Sequence, residues 1–409
     1  MASISPASDF TANPTVAQTA APATTRDPRL DFYRGIAMYI ILIAHIPRNT
    51  WTNWIPARFG FSDATEIFVF CSGMASAIAF GGCFARRGWF MGTARVAFRV
   101  WQVYWAHICL FFFVAMTMAA LDTYGSFDKS YVASLNLTHF FDDPIPQIVG
   151  LFTLTYVPNY FDILPMYLVV LGLMPLMMAL QSRLGFAAMA LASVTIWGAA
   201  NMGWMALPAE PWSNREWFFN PFGWQLLFFT GFAFMRGWLP VPPVSKTLVW
   251  VCVGFLVFSA PFGSWKVFLW LDATAPDLAG LIRKTWPVTA ELRDKTEFAL
   301  LRYLHFLALA YLGWVAAGPQ GTRLIATGTG ALAQVWQVAL RIITKVGQQS
   351  LAVFVFSMAL ARLIGFALDQ IGRSPANFAL ANLTGLALIT VAAYVAGWFK
   401  THPWKARKP

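Results

Sequence analysis

The feature that most constrains this chain is a series of apolar runs, each about as long as the ~20 residues a helix needs to cross the hydrocarbon core of a bilayer. They fall at 31–51, 63–83, 96–120, 162–181, 185–204, 217–235, 247–264, 298–317, 348–368 and 378–399. The runs predict an all-α polytopic membrane protein, a bundle of about ten transmembrane helices over 26–400. Composition agrees: 58% of the 409 residues are hydrophobic and 11% charged, where a soluble chain carries about a quarter charged residues. A shorter apolar stretch at 146–158 reads as re-entrant or interfacial. No segment between the runs is long enough to fold as a soluble domain. There is no internal repeat, which counts against a transporter built from two halves.

Residues 1–25 are rich in Ala, Thr, Pro and Ser and lack an apolar h-region. They read as a disordered cytoplasmic tail rather than a signal peptide, and residues 401–409 as a basic one. The net charge of +11 does not point to nucleic acid. Such binders gather Lys and Arg on one face of a folded domain, whereas here they flank apolar runs. More of them fall on the side of the N-terminus, which places both termini in the cytoplasm. Among acidic residues only Asp9, Asp27 and Asp31 fall on that side. The cysteines Cys71, Cys83, Cys109 and Cys252 all lie within apolar runs, as packing residues would, so no metal site is expected from them. Two long outer segments, 122–146 and 265–296, either shape a mouth for a substrate or serve as solvated linkers.

Ionisable groups inside a membrane are costly and mark function. The first run carries Arg34 and His45, eleven residues apart. That spacing is close to three helical turns, so both project from one face, ~16 Å apart along the axis. Asp31 is placed to pair with Arg34, and Pro47 ends or bends the helix. A guanidinium near the cytoplasmic boundary can grip phosphates, while an imidazole in the outer half can take a proton from an attacking hydroxyl. The plainer readings are a snorkelling arginine and a histidine that bonds between helices.

The second run opens with Asp63 and Glu66 on one face, level with His45 if the two helices form a hairpin. Ser62 is placed as the N-cap, and both carboxylates suit a first turn. Glu66, one turn deeper, is the better candidate to orient the imidazole. Ser72-Gly73 permits a close helix approach. Arg95 and Arg99 extend the basic side toward a phosphate ligand. Asp162, Asn220, Gln225 and His305 are candidates to bind substrate, although capping and interhelical hydrogen bonds explain each as well; His107 and Arg302 stand behind them. Walker, dinucleotide-binding, His-Glu-x-x-His and Gly-x-Ser-x-Gly motifs are absent. ATP-driven pumping and metalloprotease chemistry are therefore not expected, nor is any metal.

Several stretches carry a family resemblance. Arg29-Leu-Asp-Phe-Tyr-Arg34-Gly35 with Ala44-His45-Ile46-Pro47, and Gly60-Phe-Ser-Asp-Ala-Thr-Glu66-Ile-Phe-Val-Phe-Cys-Ser72-Gly73, resemble the OpgC family of bacterial membrane proteins. So do Asp162-Ile-Leu-Pro-Met-Tyr167, Asn220-Pro-Phe-Gly-Trp-Gln225 and Gly347-Gln-Gln-Ser-Leu-Ala-Val-Phe354. The likeness runs from about 26 to 399. The chain is also similar to the broader acyltransferase-3 group, whose first helix carries an Arg and a His at the spacing of Arg34 and His45. That group's Phe-Phe-x-x-Ser-Gly is here Phe68-Val-Phe-Cys-Ser72-Gly73, a departure at one aromatic.

The resemblance implies a bacterial inner-membrane succinyltransferase, with succinyl-CoA as cytoplasmic co-substrate and osmoregulated periplasmic glucans as acceptors. On that reading Arg34, Arg95 and Arg99 hold the donor's phosphates and His45 is the general base, with Glu66 or Asp63 orienting it. The partners would be acyl-CoA, the glucan and the lipid bilayer, with the chain alone or as a homo-oligomer. A carrier or flippase that uses the same polar groups is the alternative, and a sensor or scaffold that would tolerate loss of His45 is a third.

Overall fold

The computed structural model describes residues 27–405, so the predicted tail at 1–25 and the last residues of the basic tail lie outside it. Among the described residues there are fourteen α-helices and no strand. In chain order they are α1 (Pro28–His45), α2 (Ala64–Ser76), α3 (Gly82–Tyr124), α4 (Thr138–Asp142), α5 (Pro144–Thr153), α6 (Ile163–Asn201) and α7 (Pro221–Met235). After them come α8 (Lys246–Gly263), α9 (Trp265–Thr274), α10 (Pro276–Val288), α11 (Leu300–Ala317), α12 (Ala331–Gln348), α13 (Ser350–Ile371) and α14 (Pro375–Lys400).

Six helical stretches among the described residues are long and apolar enough to cross a membrane. Two of them each cover a pair of predicted spans. Ala64–Tyr124 is helical for 61 residues, with a π turn over Ala77–Gly81 joining α2 to α3, and Ile163–Asn201 runs for 39. A straight helix of 39 residues would run about 58 Å, nearly twice the hydrocarbon core. Gly185 (φ 83°, ψ 177°) and Gly88 (φ 79°, ψ 176°) divide these stretches. That backbone region is open essentially to glycine alone. Where the sequence suggests a loop between runs, one glycine makes the corner.

The predicted spans 31–51 and 217–235 fall on helices that are shorter than expected. α1 stops at His45, and short 3-10 turns follow over Thr50–Trp54 and Pro56–Arg58. Pro47 cannot continue the helix. Asn49 pins the turn by exchanging amide hydrogen bonds with Asn382 of α14, at 2.8 and 3.0 Å. α7 starts at Pro221 behind the cap Asn220, whose Oδ1 accepts from Phe222 N at 3.0 Å. Its fifteen residues are almost all buried among other helices.

Close approaches at glycine build the core, as expected where small residues let helix backbones meet. A side chain at Gly73 would strike the Phe228 carbonyl, and one at Gly231 the Phe70 carbonyl, so α2 and α7 cross backbone to backbone. Gly35 and Gly347 do the same for α1 and α12. α12 has no counterpart among the predicted spans. One of its faces, with Trp336, Leu340 and Ile343, packs on the Phe32 cluster of α1; Leu332 and Val335 are exposed, and Arg341 and Lys345 mark a polar face.

Neither of the long segments between runs is a bare linker. Over 122–146, Asp122 accepts from the backbone amides of Tyr131 and Val132 at 2.7 and 2.9 Å. Over 265–296, α9 and α10 bury Phe268, Ala279 and Ile282 against Phe61 and Phe262. Arg293 lies 5.8 Å over the Phe61 ring. This segment covers the start of α2, where the candidate carboxylates stand.

Candidate functional site

His45 is the last residue of α1 and half-buried. Its Nδ1 lies 2.7 Å from the Ile41 carbonyl oxygen. A carbonyl can only accept, so Nδ1 carries the proton and Nε2 keeps its lone pair. The ring meets Tyr160 edge-on at 5.5 Å between centroids and opens on a cavity of about 340 Å³. Arg362, Lys295 and Asp63 are within electrostatic reach of the imidazole.

The carboxylates of α2 are committed elsewhere than the sequence suggests. Asp63, not Ser62, is the N-cap: its Oδ1 accepts from Thr65 N, and Glu66 Oε2 accepts from Asp63 N, both at 2.7 Å, a complete capping box. The outer oxygens pair with cations. Lys295 Nζ is 2.5 Å from Asp63 Oδ2, and Arg302 Nε is 2.6 Å from Glu66 Oε1, with Arg302 Nη2 3.7 Å from Asp63. Glu66 is fully buried. The contact that orients His45 is therefore the Ile41 carbonyl, and Glu66 is held by Arg302. Ser62 instead shares a 2.7 Å hydrogen bond with His305 Nδ1.

The other predicted substrate residues divide. Asn220 and Gln225 are occupied by the fold. Asn220 Nδ2 donates to Met205 O and to Glu297 Oε2, each at 2.6 Å. Gln225 exchanges hydrogen bonds with Ser193, each at 2.7 Å. Asp162 stands before α6, buried and without a capping bond, and within electrostatic reach of Arg215 and Lys295. Lys295 thus pairs with Asp63 and lies within electrostatic reach of His45, Glu66 and Asp162. Burial pushes the neighbouring Glu297 carboxyl up to about 7, against the pull of its Asn220 hydrogen bond. His107 is buried with neither ring nitrogen hydrogen-bonded.

At the other end of α1, Arg34 Nη2 donates to Ser350 Oγ, while Nε is buried without a hydrogen-bond partner. Asp31 accepts from Gln348 at 3.3 Å and lies within electrostatic reach of Arg34. Arg99, held to Gln102 at 3.1 Å, is within electrostatic reach of Arg34, and Arg34, Arg99 and Lys345 are each within reach of Lys400. Arg95, one turn before Arg99, is exposed and makes no hydrogen bond or ion pair among the described residues.

The family model described as OpgC protein matches residues 26–401. The chain belongs to the OpgC family. Membership supports OpgC-type glucan modification by a transferase in a membrane, and the apolar helices agree. Neither a curated protein nor a solved structure matches the chain. For an OpgC protein two positions stand out that sequence reasoning passes over: Tyr160, at positive φ (89°), and Arg362. Arg362 lies inside an apolar run, so the rule that singles out Arg34 applies to it equally. Lys345 and Lys400 carry no such signal, since each sits at the end of an apolar run like many other basic residues. Among the described residues no three His, Cys, Asp or Glu side chains gather to hold a metal ion.

Proposed function

We propose that this OpgC protein is an O-acyltransferase of the bacterial inner membrane, with both termini cytoplasmic. It would move a succinyl group from succinyl-CoA to hydroxyls of a periplasmic glucan. The observation that carries this reading is the state of His45: Nδ1 is spent on the Ile41 carbonyl, so Nε2 is the basic nitrogen at the cavity. Arg34, Arg99, Lys345 and Lys400 form a cation cluster at the opposite end of α1, suited to the donor's phosphates.

In this mechanism a glucan hydroxyl gives its proton to His45 Nε2 as its oxygen attacks the thioester carbonyl. The C–S bond breaks, the ester C–O bond forms, and the proton passes to the coenzyme A thiolate. On this reading Asp162, within electrostatic reach of Lys295, and His305, hydrogen-bonded to Ser62, would serve the acceptor side.

The test uses wild type and His45→Ala in a bacterial strain lacking its own glucan-modifying enzyme, at matched membrane levels. Mass spectra and anionic charge of the extracted periplasmic glucans are read. Wild type should add 100 Da per succinyl group, and the variant should lose about 10²–10⁴-fold in rate. Equal modification by both proteins removes His45 as the base, and unmodified glucans with wild type refute the acceptor.

A further inference from the structure

The cavity beside His45 is lined by three arginines, Arg48, Arg58 and Arg362, and by no Asp or Glu. Arg48 is taken by Asp369 at 2.7 Å, and Arg58 is exposed on its loop. Arg362 differs from both. It projects from the middle of α13, between apolar neighbours, and no carboxylate pairs with it among the described residues. Its Nε is buried without a hydrogen-bond partner. Its guanidinium lies 3.8 Å over the Tyr160 ring, and the same ring meets His45 at 5.5 Å. Tyr160 sits at φ 89°, and its hydroxyl donates a 2.5 Å hydrogen bond to Met358 O. A tyrosine rarely adopts that conformation, and such outliers gather where geometry serves a site.

Arg362 is half-buried with its Nε buried and unpartnered, and a guanidinium so placed without a counter-ion is completed by an anion. Its planar fork matches a carboxylate with two parallel hydrogen bonds. One aromatic ring separates this fork from the candidate base. The two carboxyl carbons of a four-carbon diacid lie about 3.8 Å apart when extended, as across any three-bond trans link. Such a chain is short enough to lie in the one cavity that His45, Tyr160 and Arg362 line together.

We infer that Arg362 is a specificity-determining residue that binds a free terminal carboxylate on the transferred acyl group, selecting dicarboxylic donors over uncharged ones. The inference rests on the acyl-transfer reading above and adds to it how the acyl group is chosen.

The full-length protein in lipid nanodiscs is given unmodified glucan and either succinyl-CoA or butyryl-CoA, which has the same carbon chain with a methyl in place of the carboxylate. Transferred groups are counted by mass spectrometry for wild type, Arg362→Gln and Arg362→Lys. Wild type should favour succinyl by at least about 100-fold, as sites built to bond a polar group do. Arg362→Gln should lose most succinyl transfer while keeping butyryl transfer, so the ratio collapses; Arg362→Lys, which keeps the charge but not the fork, should recover it in part. If both donors fall in proportion in the two variants, Arg362 only supports Tyr160 and the inference is overturned. If wild type uses both donors equally, the carboxylate reading fails while acyl transfer stands. No transfer from either donor overturns the acyl-transfer reading, and the inference with it.

Discussion

Two charged clusters stand toward opposite ends of α1, and they are built differently. Near His45, two carboxylates (Asp63, Glu66) meet two cations (Lys295, Arg302) in close pairs, a set that closes on itself. Near Arg34, the cations Arg34, Arg99 and Lys345 lie within electrostatic reach of Lys400, and Asp31 is within reach of Arg34. The first cluster satisfies its own charge and holds the start of α2 against α11. The second carries an excess of positive charge that an anionic ligand would balance. Charge inside a membrane protein is thus not one signal: it marks structure where it is paired and points to a ligand where it is not.

The largest effect should come from opening the closed cluster. Arg302→Met leaves Glu66 buried and uncompensated, at a cost of about 3–5 kcal/mol. It should lower the thermal unfolding temperature of the detergent-purified protein sharply, and adding Glu66→Gln should restore much of the loss. An unchanged unfolding temperature in the single variant would break the distinction between the clusters. Arg34→Gln should act the other way. We expect KM for the acyl-CoA donor to rise about 10- to 100-fold, the range of a charge-assisted hydrogen bond, with little change in unfolding temperature. Stability lost without any change in KM would make the Arg34 cluster structural too.

The smallest effect concerns Glu297, beside the closed cluster. Its folded carboxyl is pushed up to about 7 from an ordinary 4.5, so the native state holds an extra proton between those values. Stability therefore falls as pH rises from about 4.5 to 7. Glu297→Gln should flatten that part of the unfolding-temperature profile against pH, and a slope equal to wild type would show that Glu297 does not cause it.

His45 and Arg34 were legible as candidates because an ionisable residue in an apolar run is visible one residue at a time. Arg362 was legible by the same rule. What a charge pairs with was not: Glu66 meets Arg302 more than 200 positions away, and that choice depends on how α2, α7 and α11 cross. Asn220 and Gln225 look alike in sequence to substrate-binding amides, yet each is occupied by a neighbour that only packing supplies.

Local chemistry was enough to determine the class of this protein. Apolar length near ~20 residues forces helices across lipid whatever the neighbours are, and the short motifs carried the family. The tertiary structure alone decided the docking of α12 on α1 and the partners of each buried charge. The reason is physical: a span needs only its own backbone to be satisfied, whereas a buried ion, a glycine contact or a cavity exists only between segments that meet.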